Sequence, residues 1–111
     1  MSGWQLVQGG TLVGELHEEG CDMPWFLHRF VPGPGWEGVR ELFERLAAVR
    51  WGDGPEGKQF AAAVLPIRAA ELRLVAVGFD EPDLTVWRGP CFLHIEGDSA
   101  RLRYAAADGR R

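Results

Sequence analysis

The sequence predicts an α+β fold: an antiparallel sheet of about five to six strands with two helices packed on one face, in the order β-β-β-α-α-β-(β)-β-β. Three observations carry that expectation. Apolar and polar residues alternate at both ends of the chain, as half-buried strands require. A run with helical apolar spacing occupies the middle. Gly9-Gly10 and Gly97-Asp98 separate strand-like segments at the distance of tight hairpins. The 111 residues suit one domain, expected over 1–105, with 106–111 as a frayed tail.

The first strand is the short apolar stretch Trp4 to Gln8. Beyond the Gly9-Gly10 turn, Thr11 to Glu18 sets Leu12, Gly14 and Leu16 on one side and Thr11, Glu15 and His17 on the other. Val13 is an exception on the polar side. Glu19 to Pro24 reads as a loop, because Gly20 and Pro24 interrupt it and a proline steers the residue before it away from helix. Trp25 to Val31 is apolar on both sides, with Trp25, Leu27 and Val31 against Phe26 and Phe30. Such a strand normally has cover on both faces.

Pro32-Gly33-Pro34-Gly35 stops that strand and launches a helix. From Trp36 onward, Val39, Leu42, Phe43, Leu46 and Val49 follow the spacing of one helix face, while Glu37, Arg40, Glu41, Glu44 and Arg45 fill the other. Trp51-Gly52 ends the helix. Asp53 suits the N-cap of a second helix with Pro55 in its first turn, and Pro66, which lacks an amide, limits that helix to about Val64. Ile67 to Ala70 is open.

Leu72 to Phe79 is a further strand, and Leu84 to Trp87 a short edge strand before the Arg88-Gly89-Pro90 turn. Cys91 to Glu96 and Ser99 to Ala105 form the clearest hairpin, with Gly97 suited to the first central position of a type II′ turn. Its register gathers Cys91, Leu93, Ile95, Ala100, Leu102 and Tyr104 on one face, and Phe92, His94, Glu96, Ser99, Arg101 and Arg103 on the other. Two short helices cover about one face of such a sheet. The second face therefore calls for curling of the sheet, a partner subunit or a ligand.

Composition narrows the function classes. The longest apolar run, Phe60 to Leu65, is far too short to span a bilayer, and the first residues lack the basic-then-apolar pattern of a secretory signal. A cytoplasmic protein is expected, without membrane association. A net charge of −4 argues against a nucleic-acid partner. Only Lys58 of the twelve basic residues is lysine, a bias expected of GC-rich bacterial coding, so the arginines are not read as individually selected. Two cysteines in such a chain are expected as free thiols.

The chemistry-bearing residues each have a plain alternative. His17, Cys21 and His28, and Cys91 with His94, are ligand types that zinc favours. Cys91 and His94 lie three apart on one strand, however, and so point to opposite faces. The expectation is a core Cys91, a solvated His94 and no metal. Arg101 and Arg103, with Phe92 and His94 across the hairpin, can bind an anion or pair with Glu96. Trp25 and Trp36 flank Pro32 to Gly35 and either line a cleft or belong to the core, the latter being favoured. No nucleophile elbow or Gly-rich phosphate loop is present, Ser2 and Ser99 are the only serines, and nothing demands a cofactor.

The stretch Gly14-Glu-Leu…Asp22-Met-Pro-Trp25…Arg29-Phe30…Pro32…Gly35-Trp36, with Phe92-Leu-His94-Ile-Glu-Gly97…Ala100…Arg103-Tyr104, resembles a family of small uncharacterised bacterial proteins. That family carries an Asp-x-Pro-Trp segment between two early strands, and the likeness covers about half of the chain. The resemblance implies no activity and no catalytic residue. It marks Asp22, Pro24 and Trp25 as a structural motif, in which Asp22 is expected to accept loop amides while Trp25 anchors the following strand.

These readings favour a non-enzymatic binding or interaction module, in which the uncovered sheet face meets a protein partner or a second copy in a homodimer. The alternative is a small-molecule or enzymatic site in a cleft lined by Trp25, His28, Trp36 and His94, with Arg101 and Arg103 as further ligand contacts.

Overall fold

A computed structural model describes residues 3–49, 58–88 and 91–104. The tail expected at 106–111, the first helix's stop at Trp51-Gly52 and the second's start at Asp53 with Pro55 lie outside these residues. The fold is α+β. Strands β1 (Gly3–Gln8), β2 (Thr11–Asp22) and β3 (Trp25–Pro32) precede a 3₁₀ turn (Trp36–Gly38) and helices α1 (Arg40–Ala48) and α2 (Lys58–Ala69). Strands β4 (Arg73–Val77), β5 (Leu84–Thr85), β6 (Cys91–Glu96) and β7 (Ser99–Tyr104) complete the described chain. All join one antiparallel sheet of seven strands in the order β5-β4-β1-β2-β3-β7-β6, against about five to six expected. The short β5, at one edge of the sheet, accounts for the difference from six.

The covering problem is met by curling. Trp4 of β1 touches Tyr104 of β7, with ring centroids 5.3 Å apart, although β2 and β3 lie between those strands. The two sheet margins also meet: just beyond β5, the Trp87 amide donates to the Cys91 carbonyl of β6 at 2.9 Å. One face therefore becomes an interior, filled by Trp4, Leu6, Leu16, Phe30, Leu74, Leu93, Ile95, Ala100 and Leu102. Both helices bury side chains in this one interior, as expected, with Ala63, Val64 and Ile67 coming from α2. Val39, just before helix α1, and Phe43 and Leu46 within it are buried in that same core, and the helix packs on α2 and β6. Leu46 and Phe60 also border a cleft shared by inward Ile95 and outward His94, so the helices sit around the β6 margin.

Local irregularities explain where the structure departs from the sequence pattern. Val13 turns inward because the β1/β2 register shifts after Leu6: Leu6 faces Gly14, Val7 faces Leu12, and the unopposed Val13 is fully buried. Gly14 itself lies under the Phe30 ring, where a Cβ would collide with the aromatic carbons. A second shift at Glu18/Gly20 lets β2 continue to Asp22, so the expected loop from Glu19 shrinks to the turn at Met23 and a cis-bonded Pro24. The first helix begins as the 3₁₀ turn and becomes α-helical only at Arg40. Helix α2 runs past Val64 and through Pro66. The carbonyl freed by the missing amide belongs to exposed Ala62, where water can satisfy it, and continuing the helix buries Ile67 completely. The final hairpin has the expected register, Leu93 facing Leu102 and Ile95 facing Ala100, with Gly97 at φ 62° as its turn position requires. Among the described residues, no helix is long and apolar enough to cross a membrane.

Candidate functional site

Strand alternation builds the outer face of β3, β7 and β6. Each strand sends every second side chain away from the core: Trp25, Leu27 and Arg29; Ser99, Arg101 and Arg103; Phe92, His94 and Glu96. Pairing sets them in rows. Leu27, Arg101 and His94 are cross-strand neighbours, and Arg103 stands beside Phe92. The Arg101 guanidinium lies 5.4 Å from the centre of the Trp25 ring, and that of Arg103 lies 5.9 Å from Phe92. Both distances fit cation–π contacts. Of the two alternatives for these arginines, the pairing with Glu96 does not form: Glu96 sits opposite Ser99, and neither arginine has a carboxylate partner among the described residues. The aromatic ring faces hold the guanidiniums instead.

Trp87 gathers the aromatic part of this face. Its ring meets Phe60 at 5.5 Å, Phe92 at 5.4 Å and His94 at 5.3 Å, each edge to face. Its backbone is in the left-handed region, at φ 62°, an uncommon place for a bulky residue. Three hydrogen bonds fix it there: its amide on the Cys91 carbonyl, its indole N–H on the Leu93 carbonyl, and the Arg68 side chain on its own carbonyl. The first two also occupy carbonyls along the margin of β6, which closes part of an edge that could otherwise pair with another strand.

Two clefts open beside these residues. One, of about 190 Å³, is lined by Trp25, Phe60, Trp87, Phe92, His94 and Arg103. The other, of about 280 Å³, lies between the end of α1, Phe60, and the β6/β7 residues His94, Glu96, Ser99 and Arg101. His94 and Phe60 border both. His94 is therefore half-buried, not solvated as expected. Burial pushes its imidazole down to about 4, helped by Arg101, so the ring is neutral at physiological pH. The site can thus attract an anion through two guanidiniums, take an aromatic or aliphatic group into either cleft, and offer His94 as a neutral hydrogen-bonding group.

The sheet divides the residues expected to share one cleft. Trp25 and His94 meet on the outer face, with ring centroids 5.4 Å apart. His28 lies on the inner face and is 4% exposed. Trp36 is partly buried against the core, its ring 4.7 Å from Phe30 and 5.8 Å from Phe43, whereas Trp25, for which a core place was also favoured, lies on the outer face and lines a cleft. Trp25 and His28 are three apart in one strand, so alternation alone separates them. Cys91 and His94 likewise face opposite ways, and burial pushes the Cys91 thiol up to about 11. Cys21 is an exposed free thiol whose Sγ lies 3.3 Å from Met23 Sδ. His17 pairs with Glu15 on the outer side of β2 at 3.0 Å. Among the described residues, no group of three or more His, Cys, Asp and Glu is placed to hold a metal ion.

In the Asp-x-Pro-Trp segment, exposed Asp22 is the last residue of β2 and faces Trp25 across the turn, without a side-chain hydrogen bond among the described residues. Trp25 contacts His94 of β6 and Arg101 of β7 through its ring. Sequence reasoning missed Trp87 and Phe60 as members of the site. Their only advance signal was an aromatic residue beside a turn and another in an apolar run. No family model, curated protein or solved structure matches this chain.

Proposed function

We propose that the protein is a non-catalytic interaction module whose outer β3-β7-β6 face binds an acidic segment of a partner protein. The carrying observation is the pair Arg101 and Arg103, which lie on aromatic rings with no carboxylate partner among the described residues of an acidic chain. Guanidiniums held this way are preorganised for carboxylates, and the flanking clefts suit aromatic or aliphatic side chains of the same segment. Arg29, exposed one row further along β3, extends the positive strip.

The test is an NMR titration with a synthetic peptide of alternating glutamate and aromatic residues, at low and high salt. Salt-sensitive shifts should map to Trp25, Trp87, His94 and Arg101, and the double variant Arg101→Glu/Arg103→Glu should weaken binding about tenfold or more while remaining folded. Equal binding by the double variant, or stronger binding of bulk RNA than of the peptide, would overturn the proposal. A dimer seen by light scattering and dispersed by the same double variant would replace the foreign partner with a second copy of the chain.

A further inference from the structure

A further cavity opens on the inner side of the curl, away from the arginines. It measures about 240 Å³ and is walled by Trp4, Phe26, Phe79 and Tyr104, with His28 and Glu18 also on its lining. The rings brace one another at steep angles. Trp4 meets Phe79 edge to face at 5.1 Å and Tyr104 at 5.3 Å, while Phe26 leans on Tyr104 at 5.5 Å. Phe79 forms the open side, being 37% exposed, whereas Trp4 is buried.

The polar groups of this cavity select a charge. His28 is more than nine-tenths buried, and its Nδ1–H donates to the Phe26 carbonyl at 3.2 Å. Burial favours the neutral ring, so the bond to a carbonyl places the single proton on Nδ1. Nε2 is then a lone-pair acceptor with no partner among the described residues, on a ring that lines the cavity. Glu18 is the cross-strand neighbour of His28. The carboxylates of Glu18 and Glu81 are close enough to Tyr104 to reinforce the upward push that burial gives its phenol. Among the described residues, no arginine or lysine lines the cavity. Anions are disfavoured there, and a purely apolar guest would strip solvent from the His28 acceptor without replacing its hydrogen bond. Aromatic faces attract a cation through their negative quadrupole, most strongly when it is desolvated.

We propose that this cavity is an aromatic cage for a small organic ammonium ion, with the charged nitrogen against Trp4, Phe79 and Tyr104 and an N–H or O–H of the ligand donating to His28 Nε2. The site is independent of the outer face. A cation of the choline type meets both requirements, carrying a quaternary nitrogen and one hydroxyl.

The experiment titrates the full chain with choline and, separately, with 3,3-dimethyl-1-butanol, its uncharged isostere. Trp4 indole and His28 ring signals are followed by NMR. Choline should bind saturably and about tenfold more tightly than the isostere, the ratio expected of a desolvated cation–π contact. His28 Nε2 should shift in the direction of an accepted hydrogen bond. Phe79→Ala, at a partly exposed ring, should weaken choline several-fold with the fold retained, and Glu18→Gln should weaken choline without affecting the isostere. The outer-face double variant Arg101→Glu/Arg103→Glu should bind choline as the parent does, so failure of one site is distinguishable from failure of the other. Equal affinity for the two compounds would make the cavity merely apolar and overturn the proposal. Absence of any perturbation at Trp4 and His28 by choline would overturn it as well.

Discussion

Trp25 and Phe26 are neighbours in one strand, and so are Arg103 and Tyr104, yet the two sides of these strands carry opposite chemistry. On the outer side, aromatic rings support arginines and the local charge is positive. On the inner side, aromatic rings enclose a cavity near carboxylates, and the one buried imidazole is an acceptor. Both histidines facing these clefts, His94 outside and His28 inside, are held toward the neutral state by burial. The comparison teaches that aromatic content alone does not tell a binding surface what to bind. The charge placed beside the rings does, and a period of two lets one pair of strands present both signs.

The largest effect should come from removing what both sides stand on. Phe30 lies in β3 between the two sites, buried on Gly14 and Trp36. Phe30→Ala should destabilise the fold by about 3–5 kcal/mol, read by urea denaturation, with both faces losing their ligands. A stability loss under about 1 kcal/mol would mean that the interior is not packed as described.

A narrower cut goes through Trp87. Its indole N–H satisfies the buried edge of β6 through the Leu93 carbonyl at 2.9 Å. Trp87→Phe keeps a ring but leaves that carbonyl without its donor, at about 1–3 kcal/mol. The outer clefts should loosen, seen as altered shifts at Phe92 and His94, while the inner cavity keeps its response to choline.

The pH dependence sharpens the comparison most gently. An imidazole at 6.5 when unfolded and about 4 when folded binds more protons in the unfolded state between those values. The stability it contributes is therefore fully present above 6.5 and declines as pH falls toward about 4. His28 acts in the same direction. Urea midpoints measured over this range should fall with acidification, by about 1–2 kcal/mol for His94 once its partial exposure is allowed for. His94→Gln should flatten the curve in part and leave the His28 share. A midpoint rising with acidification would contradict the burial of both rings.

Much of the local structure was legible in the residues. The final hairpin could be read down to which side chains share a face, because alternation and the Gly97 turn are properties of adjacent residues. The helical face of Val39, Phe43 and Leu46 was equally plain. Half of the outer site followed from these, since Arg101, Arg103 and His94 lie on one side of one hairpin. The single cleft expected to join Trp25 to His28 did not, because strand alternation had already set them on opposite sides.

The periodicity of each element and the turns between neighbours therefore follow from adjacent residues. How far the sheet curls, which margins meet and which aromatics become walls depend on contacts between distant segments. Trp4 reaches Tyr104 across two intervening strands, a contact with no local signature, and Arg68 of α2 reaches the Trp87 carbonyl from nineteen residues away. The physical reason is that curl accumulates from strand twist and from bulges such as those at Val13 and Glu19, and from pairing of segments as distant as Trp4 and Ala76. Those are properties of the assembled sheet, and the two binding faces exist only once it has closed.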